Sequence, residues 1–154
     1  MNCAKWNGCS VVFMLLLWAG FIAIASAEQA ERFGPYVAHY NTFNTTLLTP
    51  EVARAYGITR SGNLALLNIA VLRSQQSAMD EAVTARIQVN ASNLVGQKKS
   101  VEMKEIRDQG AIYYIGTFRI SNEERITFNV SIQPEDSTQR PHGFRFSQIF
   151  YVND

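Results

Sequence analysis

Residues 111–133, AIYYIGTFRISNEERITFNVSIQ, decide the fold. In the first half Ile112, Tyr114, Phe118 and Ile120 recur with a period of two, and in the second half Ile126, Phe128, Val130 and Ile132 do the same. Side chains two residues apart share one face of a strand, so each half reads as a strand with one apolar face. Ser121, Asn122, Glu123 and Glu124 between them are turn formers. The stretch is therefore an antiparallel pair folding its apolar faces onto a common core.

The same pattern continues outward. Asp108-Gln109-Gly110 provides the reversal into this pair, glycine supplying the positive φ that tight turns need. Residues 83–94 alternate through Val83, Ala85, Ile87, Val89 and Ala91, and Gly96-Gln97 turns the chain into a charged strand over 100–107. Residues 64–72 are apolar on both faces, the pattern of a central strand covered on each side. Residues 36–43 form the first strand, and 144–152 the last, with Phe144, Phe146, Phe150 and Val152 facing inward. The segment 77–85 reads as loop leading into strand, and 134–143 as a longer loop. One short helix interrupts the strands near residues 50–56. Thr49 is placed to cap it, Pro50 fits its first position, Glu51 suits its dipole and Gly57 ends it. About seven strands separated by short turns predict an all-β, antiparallel, immunoglobulin-like β-sandwich, with a small open barrel as the alternative. No strand–helix alternation supports a doubly wound fold.

The chain has 154 residues, with 14 basic and 13 acidic side chains, a net charge of +1, and 47% hydrophobic residues. This is one ordinary domain, with no charge excess to recommend nucleic acid or an anionic membrane as the main partner. Residues 1–27 stand apart. Lys5 is their one charged side chain, an apolar run follows, and Ala25-Ser26-Ala27 is a small-x-small cleavage pattern before Glu28. This reads as a secretory signal peptide cut between Ala27 and Glu28, leaving 28–154 as the domain with no membrane span. The rival reading is an uncut anchor, since no charge falls between Lys5 and Glu28. Both cysteines, Cys3 and Cys9, and both tryptophans, Trp6 and Trp18, leave with the segment. An exported domain held without disulfides points to a bacterial periplasm. Three glycosylation sequons, beginning at Asn44, Asn90 and Asn129, are read as chance matches.

Catalytic and metal chemistry find little support. The domain has two histidines, His39 and His142, in no ligand spacing, so neither a metal nor a cofactor is expected. The elbow sequence of serine hydrolases is missing, and the carboxylates Glu102, Glu105 and Asp108 read as a solvated face. Lys98-Lys99 is too short a basic run for nucleic acid. The chain is read as a non-enzyme.

Two surfaces remain as candidates. Tyr113 and Ile115 oppose the apolar face of one strand, and Ile149 and Tyr151 that of the last. If those strands are neighbours, the four form an interaction face for an envelope protein. The stretch following the first strand is rich in Asn and Thr, and His39, Asn41, Asn44, Tyr56 and Arg60 form a candidate binding cluster for a small ligand. Asx turns and capping before Pro50 account for most of the same residues.

At these residues the sequence resembles a family. His39-Tyr40-Asn41, FNTTLLTPEVARAYGITR over 43–60, ALLNIAV over 65–71, NLVGQ over 93–97, AIYYIGTF over 111–118 and FRFSQIFYV over 144–152 are similar to the bacterial domain of unknown function 4426 family. The resemblance covers nearly the whole of 28–154. It implies an exported Gram-negative periplasmic protein with a single β-rich domain, and it supplies no activity and no functional residues. The expected function is a non-catalytic binding or protein-interaction module of the cell envelope. The alternative is a ligand-binding protein or enzyme with a polar pocket near His39 and Arg60.

Overall fold

The computed structural model describes residues 29–75 and 79–152. The expected cleavage point, Ala27 and Glu28, lies outside the described residues. Among them ten strands form: β1 Gln29–Phe33, β2 Tyr36–Asn44, β3 Leu64–Arg73, β4 Glu81–Ala82, β5 Ala85–Asn93, β6 Lys98–Lys99, β7 Lys104–Asp108, β8 Ala111–Arg119, β9 Glu124–Pro134 and β10 His142–Phe150. One sheet has the order β1-β2-β3-β8-β7, with β4 also on β3, and the other has the order β10-β9-β5-β6. Every pairing is antiparallel. Two separate sheets make a sandwich and not a barrel.

The expected alternation fills the space between the sheets. Ala65, Leu67, Ile69 and Val71 of β3 and Ile126, Phe128 and Ile132 of β9 are completely or almost completely buried there. Phe118 of β8 packs edge-on against Phe128 at 5.2 Å and against Phe150 at 5.3 Å, joining the two layers. Tyr40 of β2 meets Phe144 and Phe146 of β10 at 4.9 and 4.6 Å, so β2 lies over β10.

Among the described residues the one α-helix, α1 Pro50–Tyr56, forms as expected. The Thr49 side chain accepts a hydrogen bond from the Val52 N–H, and Gly57 ends the helix at φ 65°.

Two expectations are corrected. The strand expected over 100–107 begins only at Lys104, and the strand before it, β6, lies in the other sheet. β6 pairs β5, residues 100–103 cross over, and β7 pairs β8. The crossover runs tightly over Gly116, where a Cβ would stand 2.8 Å from both Met103 Sδ and Val101 Cγ1. The second correction is β1, a charged edge strand that pairs β2 through a turn at Gly34.

Candidate functional site

The five residues of the candidate binding cluster do not converge. His39 stands on β2 between Ala30 of β1 and Ala70 of β3, and Asn41 two residues on shares its face and is exposed. Asn44 is buried and donates through Nδ2 to the Tyr151 carbonyl at 2.7 Å. Arg60 Nη2 donates to the Thr46 carbonyl at 3.0 Å. Beside them Thr45, fully buried, accepts from the Ser61 N–H at 2.9 Å and donates to the Ser61 carbonyl at 3.2 Å. Asn44, Thr45 and Arg60 therefore fasten the 45–63 loop to itself and to the sandwich. Tyr56 is elsewhere, at the end of α1, donating to Asp108 Oδ2 at 3.3 Å. The Asp108 charge raises the Tyr56 phenol above its ordinary value and keeps it a neutral donor.

The expected interaction face also dissolves. Tyr113 and Ile115 belong to β8 in one sheet, and Ile149 and Tyr151 to β10 and its exit in the other. β8 pairs β3 and β7, and β10 pairs β9, so the required neighbourhood does not exist. Tyr151 is half exposed, while Ile115 is partly covered by the exit of α1.

That exit forms a groove. Tyr56, Ile58 and Thr59 make one wall, and Ile106, Ile115 and Thr117 of the six-stranded sheet make the other, enclosing about 230 Å³. The groove opens through Leu64, Glu102, Lys104 and Thr117 into a wider mouth of about 960 Å³. Lys98, Lys99, Ser100, Met103, Phe118 and Arg119 complete the lining of the mouth. Lys99 is paired with Glu124 at 2.7 Å, whereas Lys98, Lys104 and Arg119 have no ion pair among the described residues. Among the described residues Glu102 is the one carboxylate in either lining. Cations thus rim an opening whose lining also includes Leu64, Met103 and the buried Phe118. The crossover that Gly116 admits builds this mouth, bringing Lys98 and Lys104 from two sheets to one place.

Two carboxylates nearby are held ionised by their partners. Burial opposes ionisation of Glu124, but hydrogen bonds from Lys99, Asn93 and the Ser121 N–H outweigh it and hold the group below the usual carboxylate range. Glu105 is likewise lowered, by hydrogen bonds from Arg107 and from Tyr114. Among the described residues no three His, Cys, Asp or Glu side chains gather where they could hold a metal ion. His142 bonds to Glu31 at 3.0 Å and stacks on Phe33 at 4.6 Å, away from the groove lining.

Solved structures share this fold. The crystal structure of a DUF4426 family protein from Pseudomonas aeruginosa PAO1 is 28% identical, with a TM-score of 0.71 over 82% of this chain and 97% of that one. FetP of uropathogenic Escherichia coli strain F11, recombinantly expressed in the periplasm of E. coli, is similar in fold at 9% identity, with a TM-score of 0.59 over 82% of this chain and 95% of that one. A copper-bound variant of FetP gives a TM-score of 0.59 at 11% identity, over 82% and 97% of the two chains. No curated protein matches the chain. The model of the family described as "Domain of unknown function (DUF4426)" matches residues 30–153, nearly the whole two-sheet domain, and the chain belongs to that family.

Proposed function

We propose that this chain is an exported protein of the bacterial envelope that acts by binding and not by catalysis. Its ligand is an anionic small molecule with a short apolar part, taken into the groove between α1 and the six-stranded sheet. The cation-rimmed mouth carries the reading: Lys98, Lys104 and Arg119 stand around Leu64 and Met103, with Glu102 the one carboxylate of the lining among the described residues. Unpaired cations beside the apolar side chains of Leu64, Met103, Ile106 and Ile115 match a ligand with a charged head and a short hydrocarbon portion. Export is supported by the charge-poor segment 1–27 and its Ala25-Ser26-Ala27 pattern. FetP's copper forms no part of the proposal, because the described residues gather no suitable donor set.

Amide chemical shifts report the binding directly. Titration with octyl phosphate or octanoate moves the amides of 98–104 and 115–119, while an uncharged octyl glycoside does not. Lys104→Glu with Arg119→Glu abolishes the response. Equal response to charged and uncharged amphiphiles, or none to either, ends the proposal.

A second reading rests on β10, which pairs β9 along all nine of its residues and no described strand on its other edge. An envelope protein partner would add a strand there. Site-specific crosslinking from Ser147 in cells tests it. One reproducible partner, lost on Ser147→Pro, supports the reading, and no partner removes it.

A further inference from the structure

We infer that one end of the sandwich is a peripheral docking surface for an anionic phospholipid bilayer. β2, β5, β8 and β10 finish at this end and β3 and β9 begin there, as the pairs Asn44–Ala65, Leu64–Arg119, Asn93–Ile126 and Phe150–Glu124 show. Side chains bolt its loops together. Asn44 reaches the Tyr151 carbonyl, Asn93 Nδ2 reaches Glu124 at 2.9 Å, and Asn122 Oδ1 accepts from the Val152 N–H at 3.2 Å. The loop frame is therefore fixed, while its tips are apolar and bare. Leu47 is 71% exposed, Leu94 77%, Val95 80% and Tyr151 55%. Side chains so exposed gain nothing from the fold that carries them, and the four crown a single end.

Charge selects the occupant. Arg60, Lys98, Arg119 and Arg125 sit at this end with no ion pair among the described residues. Lys99 and Glu124 neutralise one another, which leaves Glu123 and, beside Lys98 and Arg119 in the mouth, Glu102 as exposed described carboxylates against four cations. The balanced charge of the whole chain conceals this local excess. Aliphatic tips projecting from separate loops ahead of a ring of basic side chains suit a fluid headgroup layer, where each tip inserts by itself. A protein partner would instead favour one contiguous flat patch. The inference shares Lys98 and Arg119 with the mouth of the groove, but its apolar tips Leu94 and Val95 do not line the groove, so their substitution tests the bilayer contact separately.

Both sheets and the whole core close from residue 29 onward, so residues 28–154 are the protein to test. Flotation is measured with vesicles of phosphatidylglycerol and phosphatidylethanolamine against vesicles of phosphatidylcholine. Binding to the anionic vesicles is expected, weakened by salt and reduced about tenfold or more in Leu94→Ser with Val95→Ser. Both sites are exposed, so the thermal melt of that variant stays at the wild-type position. Trp6 and Trp18 lie outside 28–154, so Val95→Trp introduces a lone reporter whose emission shifts to the blue on binding. Equal flotation with both vesicle types, or an unchanged emission maximum, overturns the inference. Unaltered binding by the double serine variant does the same.

Discussion

The phenolic oxygen of Tyr114 in one sheet accepts a hydrogen bond from the backbone N–H of Ala85 in the other, at 2.7 Å. Its own hydrogen is donated to Glu105 Oε2 at 3.0 Å. Tyr114 is 5% exposed, and burial raises the phenol above its ordinary value, so it stays neutral and keeps both bonds. The first residue of β5 thus has its donor satisfied from across the core. Tyr114→Phe leaves a buried N–H without its partner and is expected to cost about 1–3 kcal/mol. Urea denaturation checks this, and an unchanged midpoint would show that water replaces the phenol there.

Glu124 links stability to acid. Its folded-state pKa is held below the usual carboxylate range by Lys99, Asn93 and the Ser121 N–H. A depressed carboxylate contributes stability above its unfolded pKa, and the contribution fades as pH falls through the folded value. Urea midpoints measured from pH 7 down to pH 3 should decline more gently in Glu124→Gln than in the wild type. Parallel curves would remove Glu124 from the acid response.

Gly116→Ala tests the crossover. A methyl group there meets Met103 Sδ and Val101 Cγ1 at 2.8 Å and the Glu102 carbonyl at 3.1 Å. The crossover must shift, at an expected cost of about 1–3 kcal/mol. Val101→Ala in the same chain should recover part of that loss. A thermal melt of the two variants decides it, and a neutral Gly116→Ala would mean that the crossover moves freely.

Thr49→Ala removes the helix cap. The Val52 N–H loses its acceptor, for an expected loss of about 1 kcal/mol. Amide exchange at Val52 should speed up more than that of the Phe128 amide in β9, and equal protection at both would refute a local effect.

How legible all this was depends on how local the deciding physics is. The helix was readable because Thr49, Pro50 and Gly57 act on their own backbone. The long strands were readable because burial enforces a period of two, as in β9, where Ile126, Phe128, Val130 and Ile132 are all buried. β1 was not, since QAERF at a sheet edge has little apolar signal. Nor was the split of 98–108, because Lys99 pairs back with Ala91 and Ile106 pairs forward with Tyr113, and the alternation within so short a charged stretch does not say which neighbour each half joins. The interaction face failed for the same reason, as outward parity in Tyr113 and Ile149 says nothing about which sheet each joins. Asn44 and Arg60 misled differently. Their polar groups look alike in sequence whether they serve a ligand or, as here, carbonyls of their own chain. The groove's Lys104 and Arg119 become neighbours only through the pairing of β7 with β8, so no linear motif marks them.

The crossover between β6 and β7 also sets how the sandwich comes apart. On that side the polypeptide itself passes from one layer to the other, while at the opposite edge β1 and β10, the first and last strands, meet without any covalent link. What closes that margin is side-chain contact: the Phe33–His142 stack, the His142–Glu31 bond and Tyr40 between Phe144 and Phe146. The molecule is bound like a book, with its spine at residues 100–103, further stitches where β4 leads into β5 and β8 into β9, and its fore-edge at β1 and β10. Force or denaturant should part the fore-edge first, releasing both terminal strands while the spine still holds the central sheets in register.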